Sequence, residues 1–384
     1  MRFALVGPVH PYRGGIAHYT ALLASALAER HEVRVFSFRR QYPRWLYPGH
    51  TDRDPSAHPL AVPARFSLDP LLPWTWRTVA REVQQFRPDL VVAQWWVPFW
   101  APSLGSLARL LSRGRTRTVF VCHNVMPHEP RAWDRAAVRW ALSAASALVV
   151  HSQEEREKAG ALGLRPPVEV HPIPTYSALL SELPPQDEAR AFLGISEGRV
   201  LLFLGLVRPY KGLRILLAAL ARAFPQRDVR LLVAGEFWEP LEEYRALARE
   251  LGIAGCVTWR SGYVPNEELA PYLSACDAVV LPYLSATQSA VAQLAFGAGK
   301  PVITTAIGGL PDVVEDGVNG LLVRPGDPDD LACALRRFYN LGLGPTLERG
   351  VSERKERFSW RGLVELLESV AGNASDLRHP TEPR

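Results

Sequence analysis

Along most of the 384-residue chain, short apolar runs alternate with longer segments whose apolar residues recur at helical spacing. In the first half the runs are RFALVG, HEVRVFSF, DLVVAQ, RTVFVCHN, ALVVHS and VEVHPI, separated by helical patterns such as AHYTALLASALAER. Around PPQDEARAFLGISEGR the pattern breaks into Pro-rich and polar residues, which predicts a linker. It restarts with RVLLFLG, VRLLVAGE, CVTWR, DAVVLPY, KPVITT and GLLVRP. Each run is continuous and apolar, so each strand is expected to be buried on both faces, in parallel sheets covered by helices. The fold class is therefore α/β, with two Rossmann-like, doubly wound parallel-sheet domains. The expected boundaries are 1–180 for the first domain and 181–357 for the second. A terminal helix over 358–371 is expected to pack back toward the first domain, and a polar tail over 372–384 to be disordered. Sheets of this kind bind ligands at the carboxyl ends of their strands, so the interdomain cleft is the expected site.

Composition narrows the class. Hydrophobic content of 47% and charged content of 22% are those of a soluble globular protein. No apolar run reaches the length of a membrane-spanning helix, and MRFALVGPVH reads as a strand and turn, not a signal peptide. A cytoplasmic protein is the expectation. Cys122, Cys256, Cys276 and Cys333 are far apart and form no C-x-x-C pair, so no disulfide or zinc framework is expected. The net charge is +5, and of 44 basic residues only four are lysine. The composition of a GC-rich genome is the simplest reading of that balance. An anionic partner such as a nucleotide or a lipid surface is the functional alternative. Nothing resembles a nucleic-acid-binding signature.

Several strand ends carry candidate chemistry. Gly14 and Gly15 stand between the first strand and a helix, where a glycine pair lets backbone approach a phosphate at a helix N-terminus. The spacing is not G-x-G-x-x-G, so a dinucleotide site is not indicated. Arg208 and Lys211 follow Gly205 at the end of a buried strand. Lys211 is one of the few lysines, and the pair suits a diphosphate, although an ordinary solvated turn would look the same. His123 and Asn124 end another strand, Glu236 a third, and Tyr263 and Val264 follow a fourth. The segment LPYLSATQSAVAQLAFGAGKPVITT joins two strands through a small-residue helix, yet it holds no Asp or Glu.

Taken in order, GLVRPYKG, VAGEFW, GYVPNEEL, TQSAVAQLAFGAGKPVITTAIGGLPD and DGVNGLLVRPGD resemble the segments of a known family. The chain resembles a retaining glycosyltransferase of the GT-B fold, of the family 4 (group 1) type. The resemblance covers nearly the whole chain and is strongest from Leu201 to Pro325. It implies a hexosyltransferase-type transfer from a nucleotide-diphosphate sugar to a glycan or lipid-linked acceptor, with retention of anomeric configuration and no metal or other cofactor. His123, Arg208 and Lys211 are then the expected catalytic residues. The implied donor-binding set is Gly14, Gly15, Gly205, Glu236, Tyr263, Val264, Thr287, Gln288, Ser289, Ala290, Val291 and Gln293.

The departures from the family pattern are specific. Where the family places an arginine directly after the glycine, this chain has Leu206, and Arg208 follows two residues on. In extended backbone those two positions share a face, so Arg208 is expected to take over the role. The two family glutamates of E-x7-E fall on Ala286 and Leu294. Gln293, after a one-residue shift of the helix, could accept ribose hydroxyls, and Gln288 or Thr287 could orient the sugar. Phosphate binding around Ser289–Val291 would rely on backbone N–H groups and survive the loss. The alternative is a non-catalytic GT-B relative that binds a nucleotide sugar or a partner protein. A nucleotide-sugar epimerase would need carboxylate acid/base pairs in the cleft, in which this sequence is poor. The D-x-D triplet of TDRD, at Asp52 and Asp54, sits in a loop and is not read as a metal site. Eight of the eleven tryptophans lie in the first domain, at 45, 74, 76, 95, 96, 100, 133 and 140. Core packing accounts for such a set. Sugar stacking or a peripheral contact with the inner membrane face would also use it.

Overall fold

The structure, a computed structural model, describes residues 1–43, 51–127, 131–180, 182–195 and 198–372. Residues 373–384 of the predicted tail and Trp45 lie outside these, while Gly372 ends a helix. The chain forms two compact units. The first comprises Met1–Asp54, Leu60–Pro174 and the stretch from Ser359, and the second Pro55–Pro59 and Thr175–Phe358.

The first unit is built from β1 (Arg2–Val6), α1 (Gly15–Ala28), β2 (Glu32–Phe38), β3 (Ala64–Leu68), α2 (Pro73–Phe86) and β4 (Leu90–Trp95). Then come α3 (Ala101–Arg113), β5 (Thr118–Cys122), α4 (Asp134–Leu142), β6 (Ala147–Val150), α5 (Gln153–Ala161) and β7 (Val168–Val170). Its seven strands run in the order β3-β2-β1-β4-β5-β6-β7, all parallel. β4 and β5 are buried at every residue, as continuous apolar runs require.

The second unit contains α6 (Gln186–Leu193), β8 (Arg199–Leu204), α7 (Leu213–Ala223), β9 (Val229–Gly235), α8 (Leu241–Glu250), β10 (Val257–Ser261), α9 (Asn266–Ala275) and β11 (Ala278–Leu281). It continues with α10 (Ala290–Gly297), β12 (Val302–Thr305), β13 (Gly320–Val323), α11 (Pro328–Asn340) and α12 (Gly344–Glu353). Its six parallel strands are ordered β10-β9-β8-β11-β12-β13. α7 shows why these segments are helical. Leu213, Leu216, Leu217 and Leu220 fall on one stripe, and all are buried against the sheet. A final helix, α13 (Trp360–Gly372), packs on α1 in the first unit, where Glu368 Oε1 meets His31 Nε2 at 2.7 Å.

Three readings are corrected. The segment read as a linker contains α6, whose Ala189 and Leu193 are buried and whose Arg190 reaches Asp277 at 2.9 Å. Its outer face carries the exposed apolar Phe192 beside polar residues, and Arg190 turns inward, which masked the helical period. The sequence ARFSL forms an unpredicted strand, β3, at the sheet edge. An edge strand meets solvent, so it needs no continuous apolar run. β10 is also an edge, and its Arg260 and Ser261 are exposed, unlike the fully covered strand expected there.

The tryptophans separate into two populations. Trp95, Trp96 and Trp100 are buried core, with Trp96 and Trp100 ring centres 5.0 Å apart. Trp76 is half-buried and its Nε1 donates to the Asp69 carbonyl at 2.7 Å. Trp74, Trp133 and Trp140 are exposed.

Candidate functional site

In each sheet the strand order reverses at one place, between β1 and β4 in the first unit and between β8 and β11 in the second. Loops on either side of such a reversal part and leave a crevice at the carboxyl ends of the strands.

In the second unit the crevice brings two loops together. After β8 the chain passes Gly205, exposed Leu206, buried Val207, Arg208 and the turn Pro209–Lys211. After β11 it passes Pro282, buried Tyr283 and the tip Ser285–Ser289 before entering α10. The Leu284 N–H donates to the Tyr210 carbonyl at 2.7 Å. At Gly212 a Cβ would lie 1.8 Å from the Pro282 carbonyl oxygen, and φ is +72°, so only glycine permits this approach. The loops thereby place Lys211 Nζ 3.7 Å from the centre of the Tyr283 ring. The Tyr283 hydroxyl is 3.3 Å from Ser289 Oγ, and a Cβ on Gly205 would touch Val291 at 3.4 Å.

Ser289 is the N-cap of α10, and its Oγ accepts from the Ala292 N–H at 3.2 Å. The first intrahelical bond runs from Gln293 N–H to the Ser289 carbonyl. The N–H groups of Ala290 and Val291 remain at the open end of the helix, where no acidic side chain stands in the first turn. These donors and the helix dipole favour an anion. One turn further in, Gln293 is fully buried, and among the described residues neither atom of its amide has a hydrogen-bond partner. Ala286 and Leu294 are buried as ordinary apolar side chains. Thr287 and Gln288 lie against the loop after β12. The Thr287 carbonyl accepts from the Gly309 N–H at 3.0 Å, and Gln288 Nε2 donates to the Gly309 carbonyl at 3.4 Å.

Arg208 belongs to a neighbouring group. Val207 N–H donates to the Glu236 carbonyl at 2.8 Å and Trp238 N–H to the Val207 carbonyl at 3.1 Å, which joins the loops after β8 and β9. Val207 points inward, so Leu206 and Arg208 lie on its other side. The Arg208 guanidinium stacks 3.6 Å from the Trp238 ring centre. Buried Glu236 lies between them in sequence, on the same loop as Trp238. Tyr263 and Val264 are half-buried after β10, and Gly262 N–H donates to the Gly235 carbonyl at 3.0 Å. Ser56, from the short N-terminal excursion into this unit, accepts from the Asn266 N–H at 3.0 Å and caps α9.

In the first unit, Gly14 has φ +103° and its Cβ position is open, so it is glycine for conformation and not for space. It begins α1 without a capping side chain. Asp52 and Asp54 pair with the preceding turn through backbone. Arg13 N–H donates to the Asp52 carbonyl and Asp54 N–H to the Pro11 carbonyl, both at 3.0 Å. His123 follows β5, and its Nε2 faces Gln94 Oε1 at 2.8 Å. Burial, then the nearby His151, push its pKa well below the usual value, so the ring is neutral. A neutral imidazole donating from Nε2 to that oxygen keeps its Nδ1 lone pair as an acceptor.

His123 is not alone. His151 ends β6 and His171 ends β7, giving three adjacent strand ends the same residue. His151 Nδ1 donates to the His171 carbonyl at 2.8 Å, and burial lowers its pKa to about 4. Tyr19 on α1 meets His123 edge-on at 4.7 Å, His151 at 5.4 Å and Trp360 at 5.1 Å. The loop after His123 is held by fully buried Glu155, which accepts from the Val125 N–H and pairs with Lys158 at 2.7 Å. Sequence reasoning missed Tyr283, Trp238, Tyr19 and the histidine row. The row was visible as VFVCHN, ALVVHS and VEVHPI, each ending on histidine.

Comparisons with known proteins identify the family and the fold. Residues 198–340 match the model described as glycosyl transferases group 1, and residues 14–175 match a glycosyl transferase 4-like domain. The D-inositol 3-phosphate glycosyltransferase of Acidothermus cellulolyticus is 30% identical over 399 residues, covering 94% of this chain and 86% of that one. The enzyme of the same name from Corynebacterium diphtheriae is 36% identical over 201 residues, 50% of this chain and 46% of that one. That match thus spans just under half of the relative's length. Among solved structures, sucrose-phosphate synthase from Thermosynechococcus elongatus aligns with a TM-score of 0.73 at 22% identity, covering 98% and 99% of the two chains. Anabaena HepE, solved in complex with UDP, aligns with a TM-score of 0.74 at 20% identity, covering 97% and 100%. These likenesses show the GT-B fold.

Proposed function

The chain belongs to the group 1 glycosyltransferases, and from that premise we propose that it moves a sugar from a nucleotide-diphosphate sugar to a lipid-linked sugar or glycan, with retention of anomeric configuration. The observation that carries the reading is the placement of Lys211 and the open N-terminus of α10 on either side of one crevice, joined by Tyr283 and Ser289.

The diphosphate binds the Ala290 and Val291 N–H groups, Lys211 and Arg208. As the bond between the anomeric carbon and the diphosphate oxygen breaks, negative charge grows on that oxygen. Two fixed cations and a helix terminus stabilise it, without a metal. The acceptor hydroxyl attacks from the face the diphosphate leaves, and its proton passes to the departing phosphate oxygen. The products are the glycoside and the nucleoside diphosphate, and no protein nucleophile is required. Gln293 supplies its buried amide to the nucleoside's ribose hydroxyls, and Tyr263 and Val264 flank the base. Neutral His123 accepts from a substrate hydroxyl through Nδ1. Gln288 and Thr287, braced by the Gly309 backbone, orient the sugar.

The test is to supply a panel of nucleotide sugars with lipid-linked and soluble acceptors. Released nucleoside diphosphate is measured, and the anomeric proton of the product is followed by NMR. Release with an unchanged anomeric configuration is expected. Tight donor binding with no release from any pair would favour a non-catalytic binder, and an inverted product would overturn the front-face route.

A further inference from the structure

The sheet of the first unit carries α2, α3 and α4 as consecutive right-handed crossovers, α2 packed on α3 and α3 on α4. The outer surface of this layer has an unusual composition. Trp74, at the start of α2, is 63% exposed, and Leu71 just before it is 48% exposed. Trp133, immediately before α4, is 53% exposed and Trp140, seven residues on, is 43% exposed. Every exposed charged side chain on these three helices is an arginine: Arg77, Arg81, Arg113, Arg135 and Arg139. The two acids present are used internally. Glu82 is mostly covered and pairs with Arg65 at 2.8 Å, while Asp134 is buried and accepts from the Arg131 N–H at 2.8 Å. On α2, Trp74, Arg77, Thr78 and Arg81 lie at helical spacing on one outward face. Between α3 and α4 the Arg109 guanidinium stacks 4.0 Å from the Trp140 ring centre, continuing the surface.

A packed core would have drawn these indoles inward, as it does Trp95 and Trp100. A surface evolved only for solubility would mix both signs of charge and expose few large apolar rings. Tryptophan beside arginine, with no exposed acid, suits the boundary of an anionic bilayer, where indoles enter the headgroup layer and guanidinium groups meet phosphates. We propose that the α2–α3–α4 layer is a docking face for an anionic phospholipid surface. The strands are parallel, so the crossover helices also run parallel, and Trp74 and Trp133 both start at the carboxyl-end edge of the sheet. That is the edge carrying Gly14 and His123. A protein docked there holds its strand-end loops near the headgroups. The inference rests on the lipid-linked acceptor for its purpose, and on exposed rings and charge for its location.

The full chain is sedimented with vesicles of phosphatidylglycerol and phosphatidylcholine, or phosphatidylcholine alone, at low and high salt. The expected result is pelleting with the anionic vesicles, weakened by salt. A Trp74→Ser, Trp133→Ser variant and an Arg77→Gln, Arg81→Gln, Arg139→Gln variant should each bind about tenfold more weakly. All these side chains are exposed, and an unchanged melting temperature verifies the fold of each variant. A wild-type chain that stays in the supernatant at low salt overturns the proposal and leaves a protein partner for this face. So do equal binding to both vesicle types, or variants that pellet as well as the wild type. Nucleotide release from donor and soluble acceptor is measured on the same samples. Release retained while vesicle binding is lost locates docking apart from chemistry. Vesicle binding without release from any donor would sink the proposed activity and leave the docking face standing.

Discussion

The guanidinium of Arg208 lies over the Trp238 indole at 3.6 Å, and the two residues are held in register by the Trp238 N–H bond to the Val207 carbonyl. Arg208 Nε is buried and has no hydrogen-bond partner among the described residues. The ring fixes the cation without using up its donors, which leaves them for phosphate. A stacked cation of this kind is worth about 0.5–2 kcal/mol.

Trp238→Leu is therefore expected to weaken nucleoside-diphosphate binding severalfold, and Arg208→Ala more strongly. Calorimetric titration of wild type, both single variants and the double variant forms a cycle. A coupling of about 1 kcal/mol is expected between the two sites. Additive effects would mean that the indole does not position the guanidinium.

Gln293 predicts a trade between stability and binding. Its buried, unpartnered amide costs the empty protein about 1–3 kcal/mol. Replacing it with an apolar residue of similar size removes that cost, so Gln293→Leu should raise the melting temperature while reducing donor affinity about tenfold. Affinity equal to wild type would remove Gln293 from the donor site.

Ser289→Ala removes the N-cap of α10 and the hydroxyl facing Tyr283. A loss of about 1 kcal/mol in unfolding free energy is expected. Because the phosphate is bound by backbone, a Ser289→Gly variant should keep most of the affinity. A collapse of binding in that variant would assign the hydroxyl itself to the ligand.

The histidine row predicts acid sensitivity. Folding lowers the His151 pKa from 6.5 to about 4, and burial lowers those of His123 and His171 as well. Between these folded values and 6.5 the unfolded chain binds more protons than the native one, so stability rises with pH across that window. The contribution is fully present above pH 6.5 and is lost as pH falls toward about 4. For His151 alone the stake is roughly 3 kcal/mol. Urea midpoints of wild type and His151→Phe at several pH values test this. The variant should show a shallower decline on acidification, and parallel curves would contradict the assignment.

Much of this was legible in the chain. The uninterrupted apolar runs RVLLFLG and DLVVAQ marked strands buried on both faces, and those segments form β8 and β4 at the centres of their sheets. Arg208, Lys211 and Ser289 stood out because each follows such a run at its carboxyl end. The helix α6 and strand β3 escaped notice because each has a solvent-facing side, where local pattern is weak. Trp238 and Tyr283 also escaped, since neither gains meaning until a loop from elsewhere in the chain arrives beside it. The tryptophans of the first unit could not be sorted by composition, as WW and WTW look alike whether a ring turns in or out.

By itself the sequence determined the class of fold, the family and the order of the strand-end candidates. Those depend on local patterns of burial and on residues adjacent along the chain. The tertiary structure alone decided that Lys211 meets Tyr283, that Arg208 rests on Trp238, and that Gln293 is left unsatisfied inside. It also decided that three tryptophans face outward among arginines. Each depends on strand order and helix packing between distant segments, where position in space follows from the sheet's reversals and not from spacing in sequence.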